Sequence, residues 1–176
     1  MPILNPAHLL EQAERLLERR AGGRNPTLLV RQVDRRRAIS AAYYAVFHFA
    51  LAALADQFVG KAERTTVRYA LAYRSVDHNK LEGLSKIARL EKIDKNSKYS
   101  KFVPEDGFGE SIREFASLFL ELKEKRNSAD YDPSNWVKIV DARKAIASAR
   151  SAIEQFENAQ PDETIMFITL LAFPPR

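Results

Sequence analysis

The sequence predicts an all-α protein whose helices pack as a bundle around one core. Three observations predict this fold. Apolar side chains recur at spacings of three and four residues along several segments. An asparagine or aspartate followed by proline, a pattern typical of helix starts, occurs three times. The chain has 176 residues, of which 45% are hydrophobic and 29% charged, and these values fit one globular domain.

The three start signals share one physical basis. The first residue of each pair offers a side-chain oxygen to the free N–H groups of a helix end, and proline suits the first helical position because it has no N–H to satisfy. The first of the three helices is expected to stop at Gly22-Gly23. The signals are Asn5-Pro6, Asn25-Pro26 and Asp132-Pro133, and the helices they start are predicted over 6–21, 26–58 and 133–158.

The other segments are assigned from the same periodicity. Helical segments are predicted over 63–90, with a break at 75–79 where Ser75 or Asp77 caps the second segment. The lysine-rich stretch 91–106 is predicted to be a loop, and 108–129 a further long helix. In the helix predicted over 133–158, Val137 and Val140 are expected to face the core.

The carboxyl-terminal segment is unusually apolar. Nine residues, 165–173, all apolar except Thr169, form a run that is too short to cross a bilayer as a helix. Its period does not distinguish a strand from a helix. We therefore expect a helical bundle over 1–160 and an apolar tail over 161–176 that packs on the bundle or on a second subunit.

The composition excludes several kinds of site. The chain has no cysteine, so it forms no disulfide and no thiolate metal site, and this usage suits a reducing compartment. The only histidines are His8, His48 and His78, and their spacing does not match that of a metal-binding helix. There is no phosphate-binding glycine loop and no nucleophile elbow. We expect no metal and no cofactor.

The apolar stretch 38–55 is predicted to be a buried helix rather than a membrane span. It is rich in alanine and is interrupted by Ser40, Tyr43, Tyr44 and His48. The amino terminus meets acidic residues before any long apolar run, which is unlike a signal peptide. We therefore expect a cytoplasmic protein without a membrane segment.

The formal net charge of +5 is concentrated in two tracts. Such tracts are commonly the solvated faces of helices. Clustered lysine and arginine side chains also bind polyanions, because they displace counterions from phosphates. Both interpretations stay open at this stage. The basic residues are Arg15, Arg19, Arg20, Arg24, Arg31, Arg35, Arg36 and Arg37 in one tract, and Lys80, Lys86, Arg89, Lys92, Lys95, Lys98 and Lys101 in the other.

The first candidate site is the segment 126–133, at the junction of two predicted long helices. On a helix Arg126 and Asp130 share a face, as do Asn127 and Tyr131. This arrangement fits either an Arg126–Asp130 ion pair at a capped junction or a functional site. A carboxylate in the last turn of a helix opposes the helix dipole, and Asp132 is expected to cap the next helix, so Asp130 has no evident structural role.

The second candidate site lies on the long helix predicted over 26–58. Tyr44 and His48 are neighbours on one face, and Arg37 lies two turns before Tyr44. The alternatives are a buried tyrosine hydroxyl bonded to histidine and a polar lining that faces the Arg126 junction. Near the predicted break, Arg74 and His78 offer another cation and an imidazole, which if exposed acts as a base or a phosphate ligand.

Taken together, these segments resemble the HEPN family (higher eukaryotes and prokaryotes nucleotide-binding) over nearly the whole chain. The matching parts are Ala-Ala-Tyr-Tyr-Ala-Val-Phe-His at 41–48 and Arg126-Asn127 near the end of a later helix. The resemblance implies an up-and-down bundle of four to five helices, usually paired as a homodimer. Many members look like metal-independent ribonucleases of toxin–antitoxin or defence systems, often with a nucleotidyltransferase-like antitoxin partner.

The sequence departs from the family motif at its histidine. In active members a histidine follows the arginine after four to six residues, whereas 128–136 contain none. The resemblance implies that the histidine assists attack of a ribose 2′-hydroxyl on phosphate while the arginine stabilises the developing charge. Asp130 or Tyr131 stands nearest the missing base, and His48 or His78 replaces it only if the fold brings one close.

Two function hypotheses follow. The first is a homodimer that binds RNA or a nucleotide at a groove containing the Arg126 segment, with metal-independent ribonuclease activity as an extension. The second is a non-catalytic interaction module that recruits another protein. For the first hypothesis, the candidate catalytic residues are Arg126, Asn127, Asp130, Tyr131, His48 and His78, and the candidate nucleic-acid-binding residues are Arg37, Tyr44, Arg74 and Arg126.

Overall fold

Seven α-helices make up most of the described protein, which in this computed structural model comprises residues 4–18 and 27–175. No strand occurs within those ranges. The predicted all-α bundle is therefore confirmed. The helices are α1 (Pro6–Glu18), α2 (Leu28–Phe58), α3 (Val67–Tyr73), α4 (His78–Ala88), α5 (Glu110–Tyr131), α6 (Ile139–Asn158) and α7 (Pro161–Ala172), with a short 3-10 helix over Lys61–Glu63.

Helix α2 is the centre of the bundle and packs against α1, α3, α5, α6 and α7. Its inward face is rich in small residues, and Ala38, Ala42 and Ala45 are completely buried. Small side chains allow neighbouring helices to approach closely. Larger side chains from α5, chiefly Phe115 and Phe119, fill the space around this face and are also completely buried. Burial of this apolar surface is the main stabilising contribution to the fold.

Several helix starts, among them those of α1, α2 and α4, are set by side-chain caps. The side-chain Oδ1 of Asn5 accepts a hydrogen bond of 3.0 Å from the backbone N–H of Ala7, as the start signal predicts. Asp77 caps α4 by accepting from Lys80 N–H at 2.9 Å, which confirms one of the two predicted caps at the break. Helix α2 is capped by Thr27. The predicted start at Asn25-Pro26 and the predicted stop at Gly22-Gly23 lie outside the described residues.

The start predicted at Asp132-Pro133 is wrong. The Asp132 carboxylate accepts from the Ser134 backbone at 2.9 Å and from its hydroxyl at 2.6 Å, which makes a turn instead of a helix cap. Residues 132–138 are non-helical, and α6 begins at Ile139. Because the helix starts later, Val140 is 47% exposed rather than buried, whereas Val137 is buried as expected.

The apolar carboxyl-terminal segment forms α7, with Pro161 in its first turn. Helix α7 packs against α2, α4 and α5. Phe167 is completely buried and makes edge contacts with the rings of Phe108, Phe115 and Phe156. Such edge-to-face pairs stabilise a core beyond the area that they bury. The segment whose conformation the sequence left open is therefore a helix that closes one end of the aromatic core.

Within the described ranges, α2 has the length and apolar composition that could cross a membrane. The central helices of water-soluble bundles share these properties. In this fold, 67% of its most apolar stretch is buried by the other helices.

Candidate functional site

The Arg126 side chain lies at the centre of a polar cluster near the end of α5. Its Nε is 2.7 Å from the Asp130 carboxylate. Its Nη1 donates to the Asn127 side-chain oxygen at 3.1 Å, and its Nη2 donates to the Tyr44 hydroxyl on α2 at 2.9 Å. The structure thus brings these four predicted site residues together, and the ring of Tyr131, a fifth, also borders the guanidinium. We call Arg126, Asn127, Asp130, Tyr131 and Tyr44 the Arg126 cluster.

Three tyrosine rings surround the guanidinium of Arg126. Its Cζ lies 5.9, 5.5 and 5.2 Å from the ring centres of Tyr43, Tyr44 and Tyr131. Rings at such distances attract a cation through their π faces. Tyr43 is buried, whereas Tyr131 is 71% exposed. The guanidinium is therefore anchored on the core side by buried groups and bordered on the solvent side by Tyr131.

The charge of Arg126 is maintained by its neighbours. Burial disfavours the charged guanidinium, but the nearby Tyr44 and Asp130 outweigh this effect and raise the pKa of Arg126. The Arg126 and Asp130 side chains are 20% and 27% exposed. The buried Nε–H is close to Asp130 but is not directed for a hydrogen bond, so the attraction between the two groups is mainly coulombic. Arg126 is a permanent, partly shielded cation.

Asp130 connects the cluster to α2. One of its carboxylate oxygens lies 2.5 Å from the hydroxyl of Ser40. Asp130 therefore has two structural contacts, the ion pair with Arg126 and the hydrogen bond from Ser40. The expectation that it lacks a structural role is corrected by these contacts. Ser40 precedes Tyr44 by one helical turn, so a single face of α2 supplies both groups that meet the Arg126 cluster.

The backbone of the α5–α6 junction is held by polar side chains from α2. The last carbonyls of a helix have no partner within the helix. The Arg36 guanidinium donates to such backbone carbonyls at the end of α5 and in the segment that follows it. Part of the first basic tract therefore has a structural role and is not simply a polyanion-binding surface. Arg36 contacts the carbonyls of Ala129 at 3.1 Å, Asp132 at 2.9 Å and Asn135 at 2.6 Å, while Gln32 and Arg35 donate to that of Val137.

The two candidate histidines are bonded to tyrosines other than Tyr44. His78 Nδ1 lies 2.7 Å from the Tyr43 hydroxyl, and His48 Nδ1 lies 2.7 Å from that of Tyr73. Tyr44 stacks beside His48 at 6.0 Å between ring centres, but its hydroxyl is used by Arg126. A bond between Tyr44 and His48 was thus the wrong pairing, because Nδ1 of His48 is bonded to the hydroxyl of Tyr73.

His78 is half-buried rather than exposed, and its ring stacks on Phe47 at 3.9 Å. Burial lowers its pKa, and the positive charges of Arg126 and Lys123 lower it further against a smaller opposing effect of Asp77. Burial also lowers the pKa of His48, with a further contribution from His78. Both imidazoles are therefore neutral at physiological pH. A neutral imidazole has one ring nitrogen able to accept a proton.

The fold brings His78 near Arg126 without direct contact between them. The Tyr43 ring contacts both side chains, and the Tyr44 ring stands edge-on to His78 at 5.8 Å. Arg37 and Arg74 are exposed, Arg37 on α2 and Arg74 at the end of α3.

Sequence reasoning missed several side chains of this site. Ser40 stands one turn from Tyr44, and its helical spacing was the signal that could have found it. Tyr43 and Tyr73 had no such signal, because their histidine partners lie 35 and 25 residues away. Arg36 was counted as part of a charged surface, and its role depends on a junction 93 to 99 residues away.

The comparisons with known proteins give no assignment. No protein-family model, no curated protein and no solved structure matches the chain. Among the described residues, no three histidine or acidic side chains cluster in a way that could hold a metal ion. The geometry of the Arg126 cluster is therefore the basis for a functional proposal.

Proposed function

We propose that this protein is a cytoplasmic HEPN-like bundle that binds RNA or a nucleotide through a phosphate group at Arg126. The observation that supports this most is the fixed position of a protonated arginine at the edge of the fold. Tyr44 and Asn127 orient its Nη atoms by hydrogen bonds, while the nearby Asp130 carboxylate attracts the guanidinium electrostatically. A guanidinium carries five N–H donors, so both Nη atoms retain a further donor for phosphate oxygens.

Preorganisation is the physical advantage of this arrangement. A free arginine side chain loses rotamer entropy when it binds a ligand. The Arg126 side chain is already ordered by its hydrogen bonds and by the three tyrosine rings, so less entropy is lost on binding. The exposed ring of Tyr131 lies on the side from which a ligand approaches.

Metal-independent RNA cleavage is a second candidate function, favoured by the position of His78. The neutral imidazole contacts the same two tyrosine rings as Arg126. In such a reaction, Nδ1–H of His78 donates a hydrogen bond to the Tyr43 hydroxyl oxygen, which leaves Nε2 unprotonated, and Nε2 accepts the proton of the ribose 2′-hydroxyl as that oxygen attacks phosphorus. The 5′-oxygen then leaves and takes a proton from water, while Arg126 stabilises the charge on the phosphate oxygens.

The interface of the proposed homodimer is supported by apolar side chains beside the cluster. Leu29 and Val33 are exposed on the first turns of α2, and Trp136 and Val140 are exposed at the α5–α6 junction. Gln32 and Arg35 connect the two segments by donating to the same carbonyl. Adjacent exposed apolar side chains are typical of a protein interface. We call these four side chains the junction strip.

The experiment that tests RNA binding is fluorescence anisotropy with a short labelled single-stranded RNA at low salt. Arg126→Ala is expected to weaken binding by about tenfold or more, because charge-assisted hydrogen bonds contribute about 1.5–3 kcal/mol each. Arg89→Ala removes the same charge from an exposed position in the second basic tract and serves as the matched control.

Circular dichroism would establish that both variants keep the helicity of the natural chain. Equal losses of RNA affinity in the two variants would show that RNA is attracted by general positive charge and not by a site at Arg126. Absence of RNA binding at low salt would favour the second hypothesis, a non-catalytic interaction module. Cleavage in the presence of a chelator, lost in Arg126→Ala and in His78→Ala, is the result expected for the second candidate function.

A further inference from the structure

A cavity of about 680 Å³ lies at the carboxyl-terminal end of α2, away from the Arg126 cluster. Its walls come from the start of α1, the last turns of α2, the segment between α2 and α3, α3 itself, the end of α6 and the start of α7. Sites for small molecules commonly have volumes of about 300–1,000 Å³. We call this space the α2-end cavity. None of the residues of the Arg126 cluster lines it.

One part of the cavity wall is apolar. Phe49 of α2 and Phe156 of α6 meet edge to face at 5.5 Å between ring centres, and both line the cavity. Ala53 follows Phe49 one turn later on α2, and Ile165 of α7, 43% exposed, stands on the wall as well. Alanine at position 53 leaves space next to the two rings. This part of the cavity suits the apolar body of a ligand.

The other part of the wall is polar and charged. Arg64 donates to both carboxylate oxygens of Asp56, from Nε at 3.0 Å and from Nη2 at 2.6 Å. The buried Tyr69 places its hydroxyl 2.7 Å from the same carboxylate. Lys61, in the 3-10 helix, is exposed and lines the cavity beside these groups. All four residues belong to α2 or to the segment that follows it.

The charged groups at this polar end differ in how far they are buried and in how many of their hydrogen-bonding atoms are already used. The Asp56 side chain is 13% exposed and has its oxygens occupied, whereas the Arg64 side chain is 53% exposed. Burial alone would raise the pKa of Asp56, but hydrogen bonds from Arg64 and Tyr69 outweigh it and lower that pKa. Asp56 is thus an ionised, fully used acceptor. No described hydrogen bond uses Nη1 of Arg64 and no described ion pair includes Lys61, so these two basic side chains of the wall remain able to bind an anion.

We propose that the α2-end cavity binds a small amphiphilic anion, an apolar chain or ring that ends in a carboxylate. The apolar body lies against Phe49, Phe156 and Ile165. The carboxylate meets Arg64 and Lys61, where charge-assisted hydrogen bonds fix its orientation. Glu157 of α6 is the other acidic residue on the wall and also lines a neighbouring, smaller cavity. This assignment is independent of RNA binding at Arg126.

The test compares two probes that have the same tail and opposite head groups. Dodecanoate and dodecyltrimethylammonium, each below its micelle-forming concentration, are titrated into the full chain by calorimetry. Dodecanoate is expected to bind and to raise the unfolding temperature, since a ligand that binds only the native state stabilises it. The cationic probe is expected to bind at least about tenfold more weakly because it meets Arg64 and Lys61.

Two variants locate the site. Ala53→Phe fills the space beside Phe49 and is expected to weaken dodecanoate binding by about tenfold or more. Ala147→Phe places the same ring at an exposed position of α6 that does not line the cavity, and is its control. Lys61→Glu is expected to remove the preference for the anionic probe, whereas Lys92→Glu, exposed in the loop, is expected to keep it.

Each outcome bears on the proposal. Equal affinity for the two probes would contradict the proposal that the ligand has an anionic head group. Unchanged dodecanoate binding in Ala53→Phe would contradict the proposal that the ligand binds in the α2-end cavity. If Ala53→Phe fails to fold, Lys61→Glu still decides, because the Lys61 side chain is exposed and forms no described hydrogen bond or ion pair, and its coulombic effect on Asp56 is smaller than that of Arg64. A Lys61→Glu variant that binds dodecanoate as well as the natural chain does would contradict the proposal. Loss of RNA binding in any cavity variant is not expected.

Discussion

The Nη2 atom of Arg126 donates a hydrogen bond of 2.9 Å to the hydroxyl of Tyr44, which lies 82 residues earlier in the chain. This bond joins the last turns of α5 to the middle of α2. The same Arg126 is paired with Asp130, and Asp130 is itself bonded to Ser40 of α2. The arginine is consequently held by two helices and has little freedom to reorganise when a ligand arrives.

Replacement of Asp130 by asparagine is expected to strengthen RNA binding several-fold. The carboxylate lies 2.7 Å from Arg126 Nε and competes with a phosphate for the charge of the guanidinium. Asparagine keeps an oxygen near Ser40 but removes that competition. The measurement is RNA affinity at low salt, with Glu124→Gln on the same helix as a control for net charge. Weaker RNA binding in Asp130→Asn would show that the carboxylate serves the ligand rather than opposing it.

Replacement of Arg36 by alanine is expected to lower the free energy of unfolding by about 2 kcal/mol or more. Three carbonyls, those of Ala129, Asp132 and Asn135, would lose a charged donor, and such losses are large when the acceptor is shielded from water. Urea unfolding measures the change. The neighbouring Arg37 is exposed, so Arg37→Ala is expected to change stability by less than about 0.5 kcal/mol. Similar effects of the two variants would contradict the structural role of Arg36.

Acidification is expected to destabilise the fold below about pH 6.5. His48 and His78 have lowered pKa values in the folded protein, so the unfolded chain binds more protons once the pH falls below the ordinary value of about 6.5. The stability that these residues contribute is complete above that pH and is lost as the pH drops toward the folded pKa. Urea unfolding at about pH 7.5 and about pH 5.5 measures the loss.

The histidine assignment has its own check. His78→Phe keeps a ring against Phe47 but cannot titrate, so the pH dependence of its stability is expected to be smaller. Proton NMR of the imidazoles follows both groups directly. Titration midpoints for His48 and His78 at or above about pH 6.5 would be incompatible with their buried, neutral state.

If the junction strip is a dimer interface, the protein is expected to self-associate, and the fluorescence of its tryptophan is expected to change with concentration. Trp136 is the only tryptophan of the chain and is 55% exposed. Its emission is expected to move to shorter wavelength as concentration rises, together with a doubling of the mass from 20.0 kDa in sedimentation. Trp136→Glu is expected to keep the protein monomeric. Phe102→Glu, at a residue 53% exposed in the 91–106 loop, is the matched control. A monomer at all concentrations would remove the proposed interface.

The sequence predicted the parts of the site that depend on local geometry. The pair Arg126 and Asp130 followed from helical spacing, and the break at 75–79 was predicted with Ser75 or Asp77 as its cap, of which the structure has Asp77. The start at Asp132 was mispredicted because aspartate before proline suits a turn as well as a helix cap. A local sequence pattern cannot distinguish the turn from the helix cap, because the backbone at Asp132 is bonded to Arg36, which lies on another helix.

The remaining contacts depend on tertiary packing. Tyr43 with His78, and Tyr73 with His48, pair residues on different helices, and no periodicity relates such positions. The α2-end cavity gave no sequence signal for the same reason, because its walls come from five helices and the segment between α2 and α3. The apolar run 165–173 was visible in the sequence, but its helical form is set by packing of Phe167 among the core rings.

The most direct test of the central claim observes the Nε–H group of Arg126 by NMR in protein labelled with nitrogen-15. Its buried position beside Asp130 should give a resolved resonance, identified by its disappearance in Arg126→Lys. Addition of single-stranded RNA at low salt is expected to shift this resonance in proportion to the bound fraction. RNA that binds while the Arg126 signal stays unchanged would contradict a phosphate site at this arginine.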